Sequence, residues 1–190
     1  MLLAALLDAG LSFDDLQTDL ARLGVGGYTV DAERVTRHGL TGTHLHVRLA
    51  GDERPARTLP AIEAIIGRSD LDDEVKARSL SVFRRIARAE AAVHGTTVDH
   101  VHFHEIGAVD SLVDIVGFVA GLARLRVDSV FSSPLPLGGG TVRTEHGLLP
   151  APAPATLALL AEAGLEERLI PRGRRIERLS FFAGGQEVGK

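Results

Sequence analysis

The chain has 190 residues, of which 45% are hydrophobic and 24% are charged, a composition typical of a globular protein with a core. Its net charge of −4 argues against nucleic acid as the main partner, because binding to phosphates requires clustered Lys and Arg. The absence of Cys excludes disulfides and thiolate metal ligands, so any metal site must use imidazole and carboxylate groups.

The N-terminal residues predict a pair of helices. The first, from Leu2, is apolar, but it lacks a basic leader and is interrupted by Asp8, so we interpret it as a helix and not as a signal peptide. No apolar run reaches the length of a membrane span, and we expect a cytoplasmic protein without a membrane partner. Ser12 is expected to cap the second helix, "FDDLQTDLARLG", which Gly24 ends.

Two alternating segments follow, "YTVDAERV" and "GTHLHVRLA", and they predict an antiparallel hairpin around "RHGLTG". In the second segment polar and apolar side chains take opposite faces. His44, His46 and Arg48 share one face, and Leu45, Val47 and Leu49 share the other.

The central region predicts further helices and a strand–helix–strand unit. A short helix, "AIEAIIG", precedes a long one that opens at Ser69 and runs to about Val93. Its predicted buried stripe is Val82, Ile86, Ala89 and Val93. A strand over 98–104, a helix over 109–125 and a strand over 129–133 then predict two parallel strands with a crossover. A long loop and a last helix from about Pro152 complete an α/β fold with a mixed sheet.

The segment "HVHFHEIGAVDSLVDIVG" holds the densest set of potential metal ligands. In a strand, His100, His102 and His104 would point the same way, with Glu105 directly after them. Neighbouring histidines start roughly 6.6 Å apart, so a pair could share one ion whereas all three could not without a bend. The alternative is an exposed strand face that carries histidines without a metal.

In the following helix, Asp110, Asp114, Gly117 and Gly121 lie on one face. Asp110 suits the positive end of the helix dipole. Asp114 lies in an otherwise apolar stretch, where a buried carboxylate would need a cation, a metal or good donors. The two glycines leave room for a backbone or a flat ligand to approach, or they allow close helix–strand packing, and both interpretations stay open.

The loop "LGGGTVRTEHG" could present backbone N–H groups to an anion. It lacks the endings of the P-loop and of the dinucleotide-binding motif. The alternative interpretation is a flexible surface loop. Charged groups nevertheless stand beside its glycines, and the candidate phosphate-binding residues are Gly138, Gly139, Gly140, Arg143 and His146.

Together, "VHFHEIGAVDSLVDIVG" and "SSPLPLGGGTVRTEHGLLPAPAPATLALL" resemble the nickel insertion family of nickel-pincer nucleotide biosynthesis, which supplies the cofactor of lactate racemase. The resemblance covers residues 1–163. It implies CTP-dependent insertion of Ni²⁺ into a pyridinium bisthiocarboxylate mononucleotide, with Mn²⁺ or Mg²⁺ accompanying CTP. It also implies three parts: a helix pair and hairpin (1–50), a central metal and nucleotide domain (58–163) and a divergent tail (164–190).

Combined with side-chain chemistry, the resemblance suggests roles for the candidate residues. Nickel would be held by His100, His102, His104 and Glu105, and Asp110 and Asp114, together with Glu105, would act in catalysis. Members of the family carry a Ser/Gly/Asp-rich segment before the position of Met1 and a C-terminal domain, so we expect this chain to be truncated at both ends and its tail to be poorly packed. Homo-oligomerisation stays open.

Two other function classes compete with nickel insertion. A non-catalytic carrier or store of nickel or another divalent metal would need only the histidines, of which the chain has eight. A metal-dependent hydrolase could also use a His-x-His strand, although a (β/α)₈ barrel needs about 250 residues. Dependence on CTP would distinguish the enzyme from the carrier.

Overall fold

The computed structural model describes residues 1–51, 57–103, 109–131, 139–144 and 147–164, together with 182–183 and 186–187. The helices in these residues are α1 (Leu2–Asp8), α2 (Phe13–Arg22), α3 (Leu59–Gly67), α4 (Asp73–His94), α5 (Val109–Arg124) and α6 (Pro154–Glu162). The strands are β1 (Tyr28–Arg37), β2 (Leu40–Leu49), β3 (Arg57–Thr58), β4 (His102–Phe103), β5 (Thr141–Thr144), β6 (Gly147–Pro150), β7 (Phe182–Ala183) and β8 (Gln186–Glu187). The predicted α/β class is confirmed.

Contacts divide the chain into two compact units, one of residues 1–84 with 99–127 and the other of residues 85–98 with 128–190. The first unit holds α1, α2, the β1–β2 hairpin, α3 and α5. The second holds β5, β6 and α6. The three-part division at residues 50 and 163 stays a prediction.

The helix pair and the hairpin at the N-terminus are confirmed, and local signals define both. The Ser12 hydroxyl accepts a hydrogen bond from the Asp15 backbone N–H at the start of α2, and Gly24 follows the helix with a φ of +69°. The hairpin turns through His38 and Gly39, whose φ angles are +52° and +81°. Positive φ at both central residues matches a type I′ turn, which suits the twist of an antiparallel hairpin.

The core of the first unit is built by α1, α2, α5 and the inner face of the hairpin. Its buried residues are Leu3, Leu6, Leu11, Leu16, Leu20, Val30 and Val113. Leu45 and Val47 of β2 pack against this cluster from the hairpin, which confirms the predicted apolar face of that strand. The opposite face of the hairpin therefore carries Glu33 of β1 and His44 and His46 of β2.

Gly117 and Gly121 of α5 lie where leucines of other elements approach the helix backbone. A Cβ atom at Gly121 would lie 2.7 Å from Leu6 Cδ1 and 2.9 Å from Leu11 Cδ2, and one at Gly117 would lie 3.1 Å from Leu3 Cδ2. The glycines serve close packing, because leucine side chains fill the space that a flat ligand would need. The leucines belong to α1, α2 and the turn between them, so the prediction that a strand is the partner is wrong.

The buried side of α4 differs from the prediction. Val82 and Val93 are 37% and 42% exposed, whereas Val75, Ser79 and Phe83 are buried. Ile86 is half-buried and Ala89 is buried. The helix is oriented by Phe83, which is fully buried and removes more apolar surface from water than Val82 would.

The predicted parallel pairing around α5 is not found among the described residues. β4 pairs with β3, and the pairing is antiparallel. Phe131 forms an isolated bridge, and residues 132–133 of the second predicted strand lie outside the described part of the chain. The described strands form two-stranded antiparallel sheets, so the mixed sheet is corrected to antiparallel pairs.

The predicted long loop after residue 133 contains a second hairpin. β5 and β6 pair from Thr141↔Pro150 to Thr144↔Gly147, and α6 begins at Pro154 as expected. In the tail, β7 pairs with β8, and the prediction of poor packing for its other residues falls outside the described ones. None of the helices in the described residues combines the length and apolar character required to span a membrane.

Asp8, the last residue of α1, connects that helix to the middle of the hairpin. Its carboxylate accepts hydrogen bonds from the Thr43 backbone N–H at 3.0 Å and from the Thr43 hydroxyl at 2.8 Å, and it pairs with Arg34. The hydrogen bonds from Thr43 are the main cause that lowers the pKa of Asp8 below its usual value, and the charge of Arg34 adds to them. The folded state therefore favours the ionised carboxylate.

We expect Asp8→Asn to remove part of the stability that depends on pH. Because the pKa of Asp8 is lower in the folded state, its contribution is present above the unfolded pKa, near 4, and is lost as pH falls through the folded value. The loss at pH 7 should be below about 1 kcal/mol because solvent screens this group. Urea unfolding from pH 7 to pH 2 should show the two proteins converging in acid.

Thr43→Val is the graded control for this prediction, because it removes the hydroxyl donor and leaves the backbone donor in place. Its stability difference from wild type should also shrink in acid, and by less than that of Asp8→Asn. A difference that stays constant from pH 7 to pH 2 for Asp8→Asn would contradict the proposed role of the carboxylate.

Candidate functional site

The predicted histidine strand begins later than expected. Residues Val98–His100 form a 3₁₀ turn, and His102 and Phe103 are the residues of the following strand, β4, that the structure describes. His100 is exposed in the turn, so the prediction that it shares one strand face with His102 is wrong. His104 and Glu105 lie outside the described residues, and their predicted roles are untested.

The start of α3 explains why β4 begins late. Arg57 pairs with Phe103 and Thr58 pairs with His102, and α3 begins at Leu59, so β3 does not continue alongside Val101 and His100. Alternation in a sequence becomes a strand only where a neighbouring strand takes up its backbone hydrogen bonds. Val101 and Phe103 are both 2% exposed, so the apolar half of the "HVHFH" pattern is buried.

The two predicted aspartates lie in the first turns of α5. Asp110 is half-buried, and its carboxylate accepts a hydrogen bond of 2.9 Å from the Ser111 backbone N–H. A negative charge at this position is favourable beside the positive end of the helix dipole. Asp114 follows one turn later and is exposed, so the expectation of a buried carboxylate is wrong.

Asp114 is nevertheless partly desolvated by its surroundings. Loss of hydration raises the pKa of its carboxyl group, and the charge of Asp110 adds to the effect while the amino group of Met1 opposes it. Two carboxylates one helical turn apart on an accessible surface can bind a hydrated cation, because each charge lowers the cost of bringing a positive ion near. The geometry is therefore compatible with the predicted role.

The glycine-rich segment leads into the β5–β6 hairpin of the second unit. Gly139, Gly140 and Arg143 are exposed, and nothing lies within 4 Å of a Cβ placed on either glycine. Gly140 has a φ of +93°, a conformation that favours glycine. The backbone is thus open to an anion, and Gly138 and His146 fall outside the described residues.

A group of potential ligands that was not predicted lies on the outer face of the β1–β2 hairpin. Glu33, His44 and His46 each offer one ligand atom, and these atoms all lie within 4.8 Å of one another. Glu33 stands directly opposite His44 in the register. The shared face of His44 and His46 was visible in the sequence, but Glu33 joins them only once the His38–Gly39 turn sets the register.

A cavity of about 350 Å³ in the first unit carries charged residues that pair with each other. Arg124 donates to both carboxylate oxygens of Asp19 at 2.9 Å, and Arg22 contacts Asp72 at 3.2 Å. Hydrogen bonds to Asp19 are the main cause that raises the pKa of Arg124. The pair of Arg124 and Asp19 joins α5 to α2. Because the charged side chains of the cavity neutralise one another, we do not assign a ligand to it.

The family model described as "Nickel insertion protein" matches residues 1–178 of the chain. The chain belongs to the nickel insertion protein family. The match continues beyond Ala163, where the resemblance was expected to end. No solved structure matches the chain significantly.

Similar curated proteins agree with this family. The chain is 52% identical over 160 residues to the pyridinium-3,5-bisthiocarboxylic acid mononucleotide nickel insertion protein of Desulfitobacterium hafniense, covering 84% of this chain and 40% of that protein. It is 56% identical over 164 residues to a protein of Roseiflexus castenholzii that is provisionally named a nickel insertion protein, covering 86% of this chain and 41% of the relative. The chain thus spans about two fifths of the length of these relatives.

Proposed function

We propose that this chain takes part in the insertion of nickel into pyridinium-3,5-bisthiocarboxylic acid mononucleotide. The observation that carries the proposal is the 52% identity to the Desulfitobacterium hafniense protein that is named for this reaction. Because the chain spans 40% of that relative, we assign the full reaction to this chain together with the C-terminal domain that the family resemblance implies.

The proposed reaction is a cyclometallation that forms nickel–carbon and nickel–sulfur bonds, of the lyase class, with CTP and Mn²⁺ or Mg²⁺ as cofactors. Imidazole and carboxylate groups suit nickel in transit, since they bind it without the thiolates that this chain lacks. A cytoplasmic location is part of the proposal.

The roles of individual residues are proposals of the same kind. Asp110 and Asp114 are accessible at the start of α5, and we assign them to positioning a hydrated cation for nucleotide chemistry. Gly139, Gly140 and Arg143 are accessible beside β5 and would line the phosphate side. The residues assigned to nickel by resemblance are His100, His102, His104 and Glu105. Glu105 is also assigned to catalysis. Gly138 and His146 are assigned to phosphate binding.

The decisive experiment combines the purified chain with NiCl₂, CTP, MgCl₂ or MnCl₂ and the mononucleotide, with and without the remaining part of a full-length relative added in trans. Mass spectrometry should detect the nickel-containing product only when CTP is present. Absence of product in every mixture, while the full-length relative is active, would remove this chain from the reaction.

Replacing Asp114 with Asn should lower nucleotide turnover at least tenfold, a change of about 1.4 kcal/mol in the barrier. The reason is that the isosteric amide keeps the shape of the side chain but not the charge that holds the cation. Nickel binding, measured by equilibrium dialysis, should stay close to wild type. Asp70→Asn, at another exposed carboxylate, is the matched control and should leave turnover unchanged.

A non-catalytic nickel carrier is the second candidate, and the outer face of the β1–β2 hairpin favours it. The ligand atoms of Glu33, His44 and His46 lie within 4.8 Å of one another. Metal binding by these three side chains does not require a nucleotide. The carrier is the correct function if nickel binds the chain while CTP neither binds nor is hydrolysed in the presence of Mg²⁺ or Mn²⁺.

A further inference from the structure

The outer face of the β1–β2 hairpin brings together side chains from both strands. Ten residue pairs define the register, and Glu33↔His44 and Asp31↔His46 are adjacent pairs on this face. His46 Nε2 lies 3.1 Å from Glu33 Oε1. The rings of His44 and His46 have centroids 3.9 Å apart and are tilted by 50°, and one nitrogen of each ring lies within 4.8 Å of a Glu33 carboxylate oxygen.

These distances suit ligands of one metal ion. Two ligands at about 2.1 Å from an ion and at right angles to each other are about 3.0 Å apart. The His46–Glu33 distance of 3.1 Å already matches this spacing. The other pairs of ligand atoms lie within 4.8 Å of one another, so His44 and Glu33 would rotate about their side-chain bonds when an ion binds.

An ion pair alone does not account for the whole group. A protonated His46 would pair with Glu33, but His44 has no hydrogen-bond partner among the described residues, and its ring lies against the ring of His46. Protonation of both imidazoles would place two positive charges against each other. A divalent cation instead uses a neutral nitrogen from each ring and the charge of Glu33.

The backbone that carries these ligands is held in place from the other face of the hairpin. Asp8 binds the Thr43 backbone and hydroxyl and pairs with Arg34, and these two residues directly adjoin His44 and Glu33 in the sequence. Because these contacts restrict the movement of both strands, the ligand side chains lose little conformational entropy when an ion binds. The site is therefore largely formed before the metal arrives.

We propose that Glu33, His44 and His46 form a binding site for a divalent transition metal on the hairpin, separate from the ligands assigned to the residues around His102. Two imidazoles and one carboxylate leave several coordination positions to water. The side chains of His46 and Glu33 are 32% and 61% exposed, so the ion exchanges with solvent and can be passed on. The donor set takes Ni²⁺, Zn²⁺, Cu²⁺ or Fe²⁺ and disfavours Ca²⁺ and Mg²⁺.

The test titrates the full chain with NiCl₂ in a calorimeter. Wild type should bind one more equivalent of Ni²⁺ than the double variant His44→Ala/His46→Ala. Glu33→Gln should lower the affinity for that additional Ni²⁺ at least tenfold. His38→Asn is the matched control, because it removes an imidazole from the same hairpin and Asn tolerates the left-handed turn position. An unchanged nickel stoichiometry in the double variant would overturn the proposal, as would an equal loss in His38→Asn.

A second measurement avoids dependence on the folding of variants. Substoichiometric paramagnetic Ni²⁺ added to wild type should broaden the ring resonances of His44 and His46 in proton–nitrogen spectra, and rings that remain sharp would refute the site. The same experiment on His100→Ala/His102→Ala/His104→Ala should still broaden both rings. Broadening there, without nickel insertion by any mixture, would sustain this site while the proposed function fails.

Discussion

Replacing Arg124 with Ala is expected to lower the free energy of unfolding by about 2 kcal/mol, between the values for a surface and a buried ion pair, because the Arg124 side chain is 37% exposed. Arg124 forms a bidentate pair with Asp19 through two hydrogen bonds of 2.9 Å. The Asp19 side chain is 7% exposed, so its carboxylate would stay buried with weaker compensation. Arg22, 3.6 Å from Asp19, remains in place and keeps the cost from being larger.

Two further variants test this explanation by urea unfolding. Asp19→Asn combined with Arg124→Ala should recover part of the loss, because the uncompensated charge is gone. Arg78→Ala breaks an exposed pair with Glu74 on α4 and should cost less than about 0.5 kcal/mol. Equal losses for Arg124→Ala and Arg78→Ala would mean that the Asp19 pair contributes no more than a surface pair.

Replacing Gly121 with Val should destabilise the protein by about 2 kcal/mol, the middle of the range for an overpacked core. A Cβ at this position would already lie 2.7 Å from Leu6 and 2.9 Å from Leu11, and valine adds two methyl groups that its helix rotamer cannot redirect. Either α1 must move away from α5 or the leucines must leave their packed positions. Chemical unfolding and the thermal midpoint should both register the loss.

Gly67→Val is the matched control, since Gly67 also lies in a helix but nothing is within 4 Å of its Cβ position. This variant should stay within about 0.5 kcal/mol of wild type. The two variants share the change in helix propensity, so their difference measures the packing of α1 against α5. A Gly121→Val protein as stable as wild type would contradict the close approach of the two helices.

Much of the N-terminal region could be predicted because its signals are local. The cap at Ser12, the stop at Gly24 and the alternation of β2 involve residues within a few positions of one another, and each is confirmed. The family could also be predicted, from two long and unusual segments, and the comparisons confirm it. The match to residue 178 shows that the family continues beyond the point where resemblance was visible.

The strand over 98–104 and the buried stripe of α4 were predicted wrongly for a common reason. Each prediction used only the spacing of apolar residues within one segment. That spacing does not show which other element the segment packs against. β3 ends where α3 begins at Leu59, so it does not continue alongside His100 and Val101. Burial of Phe83 turns Val82 toward solvent.

The sequence by itself determined the helix pair, the hairpin around "RHGLTG" and the family, because the signals for each lie within a short stretch of the sequence. Only the tertiary structure decided that leucines fill the space beside Gly121 and that Glu33 meets His44 and His46. Those contacts join residues that are distant in sequence, and their geometry depends on strand register and helix spacing. No local pattern carries that information.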